Sequence, residues 1–171
     1  MKKFFVLLIL FLFSWKNAYG LITVDITRGN LDPLPIAVSP LHVDQKSEKI
    51  KSLETIKLGK EISKIVERNF RSTGLFNPLE KESFVQKPDI AHLKPRFEDW
   101  RLIKAQALVT GKLLIKDKKL KVEFRLWDLT AAKEMIALSF TTTPNNWRRV
   151  AHIISDKIYE RLTGESGYFD T

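Results

Sequence analysis

The sequence predicts an α/β domain, a mixed sheet with helices on both sides, and three stretches carry that prediction. Residues 105–143 hold three consecutive runs of strand-like alternation, while residues 52–73 and 145–163 each carry apolar side chains at intervals of three and four. In 119–128 (KLKVEFRLWD), Leu120, Val122, Phe124 and Leu126 take the even positions and Lys119, Lys121, Glu123 and Arg125 the odd ones, the period of two that a half-buried strand requires. Residues 134–142 repeat it with Ile136, Leu138 and Phe140. In 105–116, Ala107, Val109, Leu113 and Ile115 share one face and Leu108 and Leu114 the other, so this strand is apolar on both faces and belongs in the centre of the sheet.

In chain order, the first element is a leader. Lys2 and Lys3 precede an apolar run over 4–13, and Ala18 and Gly20 follow at the small-residue spacing of a cleavage site, which predicts a secretory signal peptide over 1–20. The run is well short of the roughly 20 apolar residues that span a bilayer. Cleavage leaves 151 residues, enough for one domain with its own core, and lowers the net charge from +9 to +6 because the leader carries three lysines. With no cysteine anywhere, neither disulfides nor a lipid-anchored mature cysteine is available, and the domain must hold together by burial alone.

Residues 21–27 (LITVDIT) alternate in the strand period, and 28–35 (RGNLDPLP) break regular structure. Two readings follow: a detachable strand on a tether over 21–34, or a strand of the domain's own sheet. The domain proper is expected over 35–164. A short apolar run at 36–38 precedes the first helix, in which Leu58, Ile62, Ile65, Val66 and Phe70 form one stripe and Gly74 marks the stop. Residues 83–85 read as a short strand, 87–95 as a connection with two prolines, and 99–104 as a brief helix. Asp117 and Lys118 make a short hairpin turn, and Asp128 opens the longer turn at 128–132 by bonding its own backbone. The last helix is started by Pro144 or Asn145, carries Trp147, Val150, Ala151, Ile154, Ile158 and Leu162, and stops at Gly164.

No catalytic constellation stands out. His42 and His92 lie in loop-like sequence near prolines, and no two histidines have the spacing of a zinc motif. His152 and Asp156, one helical turn apart, are the only pair that could orient an imidazole, and a helix-surface pair is the stronger reading. Gly29 and Gly111 are isolated, so no phosphate loop forms. The basic run Lys112, Lys116, Lys118, Lys119, Lys121 and Arg125 falls on solvent faces and at a hairpin turn, which together with export argues against nucleic acid. The helical stripes have polar faces of mixed sign, which favours core packing over a membrane surface.

Several motifs then resemble one family. Residues 64–66 (KIV) through 72–79 (STGLFNPL), 109–111 (VTG), 124–128 (FRLWD) and 149–167 (RVAHIISDKIYERLTGESG) are similar to the N-terminal domain of the TolB family, periplasmic components of the Tol-Pal system of Gram-negative bacteria. The match runs over 22–169, and its one departure is the turn at 129–132, which lacks an expected glycine. The resemblance implies a three-layer α/β/α domain with a five-stranded mixed sheet, followed in the family by a six-bladed propeller that would begin after the short linker at 165–171. It implies a periplasmic interaction module without catalysis or cofactor, supporting outer-membrane integrity and envelope constriction at division. It further implies that the mature N-terminus, Leu21, Ile22, Thr23, Val24, Asp25, Ile26, Thr27 and Arg28, adds as a strand to the C-terminal domain of TolA. The lipoprotein Pal would belong to the propeller. The alternative is an exported small-ligand or glycan-binding domain, with hydrolysis centred on His152 and Asp156.

Overall fold

The computed structural model describes residues 21–25, 32–47 and 55–171, so the leader over 1–20, residues 26–31 and residues 48–54 lie outside the described residues. In chain order the elements are β1 (Leu34–Val38), β2 (His42–Val43), α1 (Thr55–Thr73), β3 (Phe76–Pro78), a 3-10 turn (Lys81–Ser83), α2 (Pro88–Ala91) and α3 (Phe97–Leu102). Then come β4 (Ala107–Lys116), β5 (Lys119–Asp128), β6 (Lys133–Thr142), a second 3-10 turn (Pro144–Asn146) and α4 (Trp147–Thr163). They build one mixed sheet in the order β3-β1-β4-β5-β6, with β2 also paired to β4.

The expected five strands are recovered once β2 is seen as the continuation of β1. Both run parallel to β4, with Ile36 opposite Ala107 and Val38 opposite Val109, and then His42 opposite Lys112. The register slips by one residue across Ser39, Pro40 and Leu41, where proline has no N–H to give the ladder. β4 is central as predicted, and β4, β5 and β6 form the antiparallel meander.

Strand alternation sorts the core into two layers. Ala107, Val109, Leu113 and Ile115 of β4 and Leu120, Val122, Phe124 and Leu126 of β5 join Leu58, Ile62, Val66 and Phe70 of α1 and Val150, Ile154, Ile158 and Leu162 of α4 in the main core. The opposite face carries a smaller cluster in which Leu108 and Trp127 meet Ala91 of α2 and Trp100 of α3. The buried indoles are satisfied there, Trp127 donating to Thr110 Oγ1 and Trp100 to Gln86 Oε1, each at 2.9 Å. Gly74 and Gly164, at φ 70° and 80°, sit just past the two long helices in the left-handed conformation expected of their stops.

Three local expectations are corrected. Residues 83–85 are not a strand: Lys81–Ser83 is a 3-10 turn, and the short strand forms earlier at Phe76–Pro78, parallel to β1. The connection at 87–95 contains α2, with Pro88 at its first position. The domain's first strand begins at Leu34, inside the stretch read as tether.

The turns explain the missing glycine. Asp117 and Lys118 both take positive φ, 50° and 57°, the primed turn that suits strand twist. In the β5–β6 turn Ala132 takes φ 52°, so an alanine occupies a left-handed position. Asp128 Oδ1 accepts the Ala131 N–H at 2.8 Å, the self-bonding that its position predicted.

Candidate partner-binding site

The predicted site residues Leu21 to Asp25 are docked on the domain, and Ile26, Thr27 and Arg28 lie outside the described residues. Over these five residues the segment is neither free nor a strand of the sheet. Its N–H groups go to two different acceptors: Ile22 donates to Asp128 Oδ2 at 2.8 Å, and Val24 donates to the Leu162 carbonyl at 2.7 Å. One acceptor is a side chain and the other is a carbonyl of the last turn of α4, so no ladder forms.

The alternation read from the sequence survives the change of partner. Ile22 and Val24 are half-buried against the main core, while Thr23 and Asp25 are exposed. Thr23 lines a shallow groove with Ile136 and Leu138 of β6 and with Lys157, Glu160 and Arg161 of α4. Asp128 links the segment to the fold: 1% exposed at the end of β5, it spends one oxygen on its own turn and the other on Ile22. Sequence reasoning found the first of these roles and missed the second, because Ile22 is 106 residues away in the chain.

The opposite end of the chain is also docked. Both oxygens of Asp156 accept backbone N–H groups, from Phe169 at 2.8 Å and Asp170 at 3.1 Å. Arg149 Nε pairs with Asp170 at 3.1 Å, and Tyr159, Tyr168 and Phe169 form an aromatic cluster with centroids 4.7 to 6.1 Å apart. The stretch read as the start of a linker is therefore held against α4.

These contacts remove the pairing behind the hydrolytic alternative. Asp156 is occupied by the tail, and His152 Nδ1 accepts a hydrogen bond from the Asn69 amide at 3.0 Å. Asn69 also donates to Ser155 Oγ at 2.9 Å, which donates in turn to the Ala151 carbonyl, so this polar network ties α1 to α4.

Two histidines that the sequence left apart do meet. The rings of His42 and His92 stack at 4.4 Å with 5° between planes, and His92 Nδ1 donates to the Pro88 carbonyl at 3.0 Å. Burial, and then the neighbouring His92, push the His42 imidazole below its ordinary range. Face-to-face rings have in-plane lone pairs that cannot converge on one ion. Among the described residues no group of three or more ligand side chains could hold a metal.

Among the described residues, three of the six cations of the basic strip are in ion pairs. Glu123 meets Lys121 at 2.7 Å and Lys112 at 3.5 Å, and Arg125 meets Glu134 at 3.0 Å. The hydrogen bond from Lys121 holds the Glu123 carboxyl below its usual range. Among the described residues no helix is long and apolar enough to cross a membrane.

Comparison with known proteins fits this geometry. The family model of the TolB amino-terminal domain matches residues 22–135. The curated Tol-Pal system protein TolB of Pelagibacter ubique (strain HTCC1062) is 66% identical over 167 residues, covering 96% of this chain and 37% of that protein. This chain thus spans little more than a third of its relative's length. The crystal structure of TolB from Acinetobacter baumannii superposes with a TM-score of 0.65 at 20% identity, over 87% of this chain and 33% of that one, and shares the fold.

Proposed function

We propose that this chain, which belongs to the TolB family, acts in the Tol-Pal envelope system as a non-catalytic periplasmic interaction module. Residues 1–20 direct its export, and residues 21–28 are the strand that leaves the domain and adds to the edge of the TolA C-terminal domain. The role served is outer-membrane integrity and envelope constriction at division. The proposal assigns TolA, and not Pal, to this segment.

One observation carries the reading. The segment has strand alternation, yet its described residues are held outside the sheet by contacts that include two backbone hydrogen bonds and two half-buried aliphatic side chains. At about 1 kcal/mol net for the bond to the Leu162 carbonyl and about 1.5–3 for the one to the Asp128 carboxylate, these two bonds are few enough for pairing along a whole sheet edge to outcompete. Extending the strand onto another sheet would give its N–H and C=O groups a regular ladder of partners. Docking then acts as a tax on affinity, because only the undocked fraction can bind.

Deleting residues 21–28 tests this. Calorimetric titration against the TolA C-terminal domain should lose its signal, while the thermal melt of the domain moves by only a few degrees. Undiminished affinity after the deletion would place the interface elsewhere, and a large loss of stability would make the segment part of the fold.

A further inference from the structure

The two edges of the sheet are built differently. β3 is three residues long and ends in Pro78, which stops a further strand from pairing alongside it. β6 is ten residues long, and from Met135 to Thr142 it contains no charge, no proline and no glycine. Its irregularity and its charges are confined to the start, where the register slips at Leu126 and Trp127 and where Glu134 pairs with Arg125.

Among the described residues, Thr23 of the docked N-terminal segment reaches the groove beside Ile136 and Leu138, and no charge, proline or bulge blunts β6 from Ile136 onward. The apolar layer also runs out to that edge, since Ile136 and Phe140 pack on the main core while Leu138 remains 40% exposed. Phe140 already stacks on Phe124, at 6.1 Å between centroids, which holds its ring in the apolar layer.

We propose that two copies of this chain pair β6 to β6 in antiparallel fashion, about a two-fold axis at Leu138. The pattern is self-complementary in that register. Over the regular stretch from Ile136 to Phe140, Leu138 faces Leu138, Ile136 faces Phe140 and Ala137 faces Ser139, so apolar side chains meet on one face and small ones on the other. Lys133 and Glu134 lie beyond the irregularity at Met135, outside this stretch, and no like charges are opposed within it. Moving the axis to Ala137 leaves Phe140 opposite the charged, irregular start of β6, and moving it to Ser139 sets Ile136 against Thr142, so the axis at Leu138 pairs the most apolar side chains. The rim on α4, with Lys157, Glu160 and Arg161, is of mixed sign and raises no single-sign field between copies. A single strand pair lies at the small end of specific interfaces, so the association is concentration-dependent.

Sedimentation of the purified full chain over a concentration series tests the pairing, with Leu138→Lys expected to weaken it by about tenfold or more, roughly 1.4 kcal/mol. The chain has no cysteine, which permits a second test that does not depend on that variant folding. Leu138→Cys places two thiols at the axis and should cross-link rapidly on mild oxidation, whereas Thr142→Cys, at the end of β6 away from the axis, should not. A monomer at every concentration, or equal slow cross-linking of the two cysteine variants, overturns the pairing and leaves the edge to a strand of different chemistry.

Discussion

Both ends of the described chain rest on α4, and they are fastened by different chemistry. At the C-terminal end a carboxylate, Asp156, accepts two N–H groups, an ion pair joins Arg149 to Asp170, and three aromatic rings pack together. At the N-terminal end Ile22 and Val24 contribute half-buried aliphatic surface and two hydrogen bonds, only one of which goes to a charged acceptor. Hydrogen bonds to charged groups contribute about 1.5–3 kcal/mol against about 1 for neutral ones, so the C-terminal end is the firmer of the two. The contrast teaches that proximity to the same helix does not decide which segment can leave.

The largest perturbation removes the floor beneath both ends. Phe124→Ala empties a fully buried site in the main core and should cost about 3–5 kcal/mol in a urea melt, freeing neither end selectively. A smaller change separates them. A methyl at Gly167 would overlap the backbone of Asp156, so Gly167→Ala should lift the tail and cost about 1.5–3 kcal/mol. Hydrogen exchange would then speed up at the Phe169 and Asp170 amides while the Ile22 and Val24 amides stay as they were. If all four amides respond together, the ends are not independently fastened. The smallest effect is a gain: Ala132→Gly relieves a left-handed alanine at φ 52° and should stabilise by up to about 1 kcal/mol, provided the turn beside Asp128 keeps its geometry. A thermal melt measures it.

Much of the fold was legible because its long elements bury one face. The even positions of β5 and the stripes of α1 and α4 reached the main core where alternation and helical spacing put them. The short elements were not legible. β2 and β3 have two and three residues, too few for any period, and each is held by pairing with a strand distant in sequence. The same limit explains residues 83–85, where three residues suggestive of a strand found no strand to pair with and followed a 3-10 turn.

At the candidate site the alternation of residues 21–25 was readable, since it belongs to the residues themselves. Their acceptors were not, because Asp128 and Leu162 come near only after the domain has folded. The His42–His92 stack was hidden for the same reason, β2 and the turn after α2 being brought together by the tertiary fold.

The proposal that the N-terminal strand is releasable is tested most directly by Asp128→Asn. Asparagine keeps an oxygen for the Ala131 N–H but offers an amide where Ile22 now finds its acceptor, so the substitution weakens docking while leaving the rest of residues 21–28 untouched. Measured by calorimetric titration, the affinity for the TolA C-terminal domain should rise several-fold, because more of the segment is already undocked. An affinity that is unchanged or lower in a variant that still folds would contradict the account.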